Sequence, residues 1–67
     1  MNIIFNKFIE VEDTHFKKMI IRIESISVIH EVEISKTEIY CIGIEKPFIS
    51  RHSYREIKSL LDKAFKE

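Results

Sequence analysis

The segment Met19–Ile34, MIIRIESISVIHEVEI, decides the fold. Up to Ile23 its apolar residues Met19, Ile21 and Ile23 stand at odd positions, with Arg22 and Glu24 on the opposite parity. From Ile26 onward Ile26, Val28, Val32 and Ile34 stand at even positions, with Ser27, Glu31 and Glu33 opposite. Period-2 alternation marks a half-buried strand, because successive side chains point to opposite faces. A change of parity would turn the second half's polar face to the core unless an odd number of residues is inserted. The segment is therefore expected to form two strands joined by a bulge or short helical turn at Glu24 and Ser25.

Toward the N-terminus the same alternation runs through Ile3, Phe5, Ile9 and Val11, with Asn6, Glu10 and Glu12 opposite and Lys7 as an exception. Asp13-Thr14-His15 supplies the following turn, since an Asp side chain can accept a hydrogen bond from the backbone two residues on. Toward the C-terminus, Ser35-Lys36 is a turn. The next strand is apolar on both sides, Ile39 and Cys41 on one and Tyr40, Ile42 and Ile44 on the other, which predicts burial on both faces. Glu45-Lys46-Pro47 ends it, because proline lacks the ladder donor.

Ser53 followed by Glu56 is a capping box. Behind it Tyr54, Ile57, Leu60, Leu61, Ala64 and Phe65 fall at helical spacing, with Arg55, Glu56, Lys58, Asp62, Lys63 and Lys66 on the other side. The expected architecture is α+β: an antiparallel β-meander of four to five strands with one C-terminal amphipathic helix packed on one face. The strands are placed at about 3–12, 18–24, 26–34, 37–45 and 48–51 and the helix at about 54–66, all in a single domain spanning 1–67.

At 67 residues the core is only marginally sufficient, and small domains gain support from disulfides, metals or oligomerisation. One cysteine, Cys41, excludes an intramolecular disulfide and a paired-thiolate zinc site. Eleven basic residues balance eleven acidic ones, which gives no net field toward nucleic acid or an anionic membrane. The N-terminal MNIIFNKFIEVED lacks the charged, apolar and small-residue order of a leader peptide, and no apolar run is long enough for a membrane span. A soluble cytoplasmic protein is expected.

The stretch Ser50–Glu56, SRHSYRE, concentrates the residues that most resemble a chemical site. With Ser53 and Glu56 assigned to the cap and Tyr54 to the core, Arg51, His52 and Arg55 remain. Beside a helix N-terminus they form a candidate site for a small anionic ligand such as a nucleotide. His15, His30, His52 and Cys41 share no metal-ligand spacing, so neither a metal nor a cofactor is expected. His30 falls on the inward parity of its strand, where a buried imidazole would need a partner. Cys41, mid-strand between Tyr40 and Ile42, has the setting of an inert thiol, and no enzyme activity is expected. Glu10, Glu12, Glu31 and Glu33 are expected to meet Lys17, Lys18 and Arg22 across a solvated sheet surface.

One helix covers one sheet face, for which Ile9, Val11, Ile21, Ile23, Val28 and Val32 suffice. Ile4, Phe8, Ile20 and Ile29 lie on the opposite parity. Monomers seldom expose large apolar patches, and full barrel closure asks for more strand than the chain supplies. A homo-oligomer interface is therefore expected at Phe8, Ile20, Ile29, Tyr40 and Ile42. The expected function is a non-enzymatic protein-interaction module acting as a homo-oligomer. The alternative is a phage or mobile-element protein that binds an anionic ligand through Arg51, His52 and Arg55, or inhibits a host protein.

The order FIEV (8–11), IRIESISVIHE (21–31), TEIYCIGI (37–44) and PFISRHSYREIKSLL (47–61) resembles the small flagellar FlbD-like proteins and short bacterial and phage proteins of the same layout. The resemblance spans Phe8 to about Ala64. It implies the strand order and a Ser-led helix, and no catalytic residue.

Overall fold

A computed structural model describes residues 7–66. The elements are β1 (Phe8–Glu12), β2 (Lys18–Arg22), a 3-10 turn (Ile23–Ser25), β3 (Ile26–Glu33), β4 (Lys36–Cys41), β5 (Phe48–Ser50) and α1 (Tyr54–Lys66). All strand pairs are antiparallel. The architecture is thus α+β, five meandering strands with one C-terminal helix. The part of the first expected strand from Ile3 to Asn6, with Ile4, lies outside the described residues.

The strands divide into two sheets, β1–β2 and β3–β4–β5, and the break between them is the predicted one. The 3-10 turn occupies Ile23–Ser25, so the expected strand over 18–24 stops at Arg22. Backbone bonds stitch the sheets at both ends. The Ile42 N–H donates to the Ser25 carbonyl (2.7 Å), and the Arg51 N–H donates to the Glu12 carbonyl (2.9 Å) beside an isolated Asp13–Ser50 bridge. Between the sheets lies the core of Ile9, Val11, Ile21, Ile23, Ile39, Cys41 and Ile57.

On β3 Ile26 keeps its expected inward face, but beyond it the structure reverses the faces. Val28, 53% exposed, and Val32 point to solvent together with His30, whereas Ile26 and Ile29 pack against the core. The register gives the reason. Ile26 faces Cys41 and Val28 faces Tyr40, so Ser27 is an extra residue on β3, and this bulge shifts the parity a second time after the 3-10 turn. A second irregularity falls between Glu31 and Glu33.

β4 is also simpler than expected. It ends at Cys41, not near residue 45, and buries one face only: Thr37, Ile39 and Cys41 inward, with Lys36, Glu38 and Tyr40 half-buried outside. Ile42 and Gly43 form a turn in which the Ile44 N–H bonds to the Cys41 carbonyl (3.2 Å). Gly43 has φ +83°, a left-handed conformation that a residue without Cβ adopts freely. The left-handed turn lifts Ile42 and Ile44 out of the ladder and into solvent.

α1 begins with the capping box. Ser53 Oγ accepts the Glu56 N–H (3.1 Å), and Glu56 Oε1 accepts the Ser53 N–H (3.0 Å). Ile57, fully buried, is its core anchor, with Leu60, Leu61 and Ala64 packed around it. Tyr54 and Phe65, expected on this face, are exposed at the two ends of the helix. At the other end Lys63 and Lys66 suit the helix dipole, and Lys7 Nζ donates to the Ala64 carbonyl (2.7 Å).

Candidate functional site

Most residues singled out from sequence fall in two regions: the β5–α1 junction, and the apolar groove between β2 and the β4–β5 connection with the adjoining hairpin face.

At the junction, two fully buried hydroxyls fix the backbone of His52. Ser50 Oγ accepts its N–H (3.1 Å), and Thr37 Oγ1 donates to its carbonyl (2.8 Å). The imidazole is turned toward β1, where Nε2 accepts the backbone N–H of Glu12 at 3.0 Å. Nδ1 lies 3.8 Å from Glu56 Oε2. The hydrogen bond from the Ser53 backbone N–H holds the Glu56 carboxyl below its ordinary range.

Arg51 is engaged as well. Its Nη1 is 3.2 Å from Glu12 Oε1, and its guanidinium sits 4.6 Å from the centre of the Phe16 ring. Arg55 is exposed on the first helical turn and makes no ion pair among the described residues. The structure therefore brings Arg51 and His52 together, but within a carboxylate-rich frame. Glu12 neutralises Arg51, and Glu10 and Glu56 line the recess beside His52 with Ser59 and Leu60.

Of the expected interface residues, Phe8 (54% exposed), Ile20 (65%) and Ile42 (70%) are open to solvent. Phe8 and Ile20 share the outer face of the hairpin as diagonal neighbours, since Phe8 faces Arg22 and Glu10 faces Ile20. Ile20 also borders an open groove of about 370 Å³ between β2 and the β4–β5 connection, lined by Met19, Ile42, Ile44 and Phe48 with Cys41 at its base. Burial pushes the Cys41 thiol above its usual range. Ile29 does not belong to this surface, because the Ser27 bulge turns it to the core. Tyr40 sits on the outer face of the three-stranded sheet, its hydroxyl donating to Glu38 Oε1 (3.1 Å), a bond that raises its pKa. Glu38 also pairs with His30 Nδ1 at 3.2 Å, so His30 finds its partner at the surface.

The groove itself was not legible in the sequence. Met19 and Phe48 read as ordinary strand residues, and only the left-handed turn at Gly43 brings Ile42 and Ile44 opposite Ile20. The three histidines occupy separate places, the hairpin turn, β3 and the junction. No group of three or more His, Cys, Asp or Glu side chains among the described residues is arranged to hold a metal ion. No helix among them is long and apolar enough to cross a membrane. No protein-family model, curated protein or solved structure matches the chain.

Proposed function

We propose that this protein is a non-enzymatic interaction module that self-associates through the groove between β2 and the β4–β5 connection, extended by Phe8 on the hairpin face. The carrying observation is the convergence of Ile20, Ile42 and Ile44, all exposed, on one groove floored by the half-buried Met19 and Phe48. Ile20 comes from β2 and Ile42 and Ile44 from the β4–β5 connection, and the fold draws them together, which distinguishes them from scattered surface apolar side chains. Ile34, 85% exposed in the β3–β4 turn, is such a scattered residue and serves as the control. An isologous contact would bury Ile20 and Ile42 against their own copies.

Light scattering at micromolar concentration tests the reading. Ile20→Glu and Ile42→Glu should lower the mass to that of one chain, because a carboxylate in a dry contact goes unpaired. Ile34→Glu should leave the mass unchanged. A wild-type protein with the mass of one chain, 8.0 kDa, would refute it. An anionic-ligand role for Arg51, His52 and Arg55 draws no comparable support, since Glu12 and Glu56 already hold the positions next to the first two.

A further inference from the structure

We infer that His52 is a proton-controlled latch on the seam between the two sheets, closed when its imidazole is neutral and released when it is protonated. The seam is short. Where β1 meets the β5–α1 link, it consists of the Asp13–Ser50 bridge, the Arg51 N–H to Glu12 carbonyl bond, the Arg51–Glu12 ion pair and the bond from the Glu12 N–H to His52 Nε2.

The last of these sets a condition on the ring. A backbone amide is only a donor, so Nε2 can accept from it only while it carries no proton, and the ring's single proton is then on Nδ1. That places the Nδ1–H on the side of the Glu56 carboxylate. Protonation turns Nε2 into a second donor facing the Glu12 N–H at 3.0 Å, and the contact becomes repulsive.

The surroundings give the protonated ring somewhere to go. Glu56 on α1 is 3.8 Å from Nδ1, and Glu10 on β1 lines the same recess. Arg51 beside it is balanced by Glu12. From β4 and β5 the ring's residue meets only the uncharged Thr37 and Ser50, and both hold its backbone. The backbone of His52 therefore stays fixed while the side chain exchanges an amide on β1 for a carboxylate on α1. The chain carries no other histidine with a backbone amide donating to its ring among the described residues: His15 lies in the hairpin turn and His30 pairs with Glu38. Histidine is the side chain whose charge changes in the physiological range, and here that change falls on the ring nitrogen that holds the seam.

The test is nitrogen-detected NMR of the full chain across the histidine titration range, read together with amide exchange at Glu12. At neutral pH the His52 proton should reside on Nδ1, and the Glu12 amide should be protected. On acidification its protection factor should fall roughly threefold to tenfold, the loss of one hydrogen bond. The fall should follow the His52 ring signals and not those of His15 or His30. His52→Gln, whose side-chain oxygen accepts at any pH, should keep the Glu12 amide protected without the pH-dependent step. A proton found on Nε2 at neutral pH would overturn the inference, as would a Glu12 step that persists in His52→Gln or is missing from the wild-type chain. The tautomer measurement needs only the wild-type protein, so it decides even if the variant folds poorly.

Discussion

Replacing Ser53 by alanine removes one half of the capping box and leaves the other. The Glu56 N–H loses the Ser53 Oγ acceptor at 3.1 Å, while the Ser53 backbone N–H keeps Glu56 Oε1 at 3.0 Å. Loss of a serine cap costs about 1 kcal/mol. In a domain of this size that lowers the melting temperature by about 4–8 °C. Thermal unfolding followed by far-ultraviolet circular dichroism reads it directly, at one fixed protein concentration because any self-association would raise apparent stability. Glu56→Gln isolates the charge. In the folded state the Glu56 carboxyl lies below its ordinary value, first because of the Ser53 N–H and also because of His52. A depressed carboxylate contributes stability that is complete above its unfolded pKa and is lost as pH falls through the folded value. The gap between wild type and Glu56→Gln should therefore be present above the ordinary carboxylate range and close as the pH falls through the lowered folded value. A Ser53→Ala melting temperature within about 1 °C of wild type would refute the assignment of this serine to the cap.

Ile57→Ala removes the helix's only fully buried side chain and should cost about 2–5 kcal/mol. A domain of this length commands about 3–10 kcal/mol in total, so urea titration should show a large unfolded fraction with little denaturant. Phe16 has φ +63°, a left-handed conformation costly for a residue with a Cβ. Phe16→Gly and Phe16→Ala both lose the stacking with Arg51, but Gly relieves the backbone, so chemical denaturation should rank it above Ala by about 1 kcal/mol. Equal stabilities would contradict that account of the turn. Asp13 Oδ1 accepts the amides of Lys17 (3.0 Å) and His15 (2.8 Å), and the Lys17 amide chiefly holds its carboxyl below the ordinary value. Carbon-detected NMR should show it titrating below 3.8, with the turn retaining its order until the pH falls through that lowered value; a normal titration would speak against the bonded turn.

The parity switch between Ile23 and Ile26 was legible in the sequence because burial on one face imposes a strict period of two, and any interruption must be absorbed by extra residues. The helix start was legible for a similar reason: Ser53 and Glu56 satisfy backbone groups that every helix leaves open. The second shift, at Ser27, was hidden. Ile26-Ser27-Val28-Ile29 is compatible with either inward face, and the choice depends on β4, where Ile39 and Cys41 demand Ile29 and Ile26 as partners. The junction was hidden for another reason. Arg51 and His52 read as free functional groups until β1 and β4 are placed beside them, because their partners, Glu12 and Thr37, are distant in sequence. The groove likewise depends on two sheets meeting.

The most direct test of self-association through the groove is an isotope-filtered NMR experiment on an equal mixture of labelled and unlabelled chains. Contacts between copies should appear at the methyl groups of Ile20, Ile42 and Ile44 and at the Phe8 ring, and should be missing at Ile34. Intermolecular contacts confined to other surfaces, or none at concentrations where the mass exceeds one chain, would contradict the account.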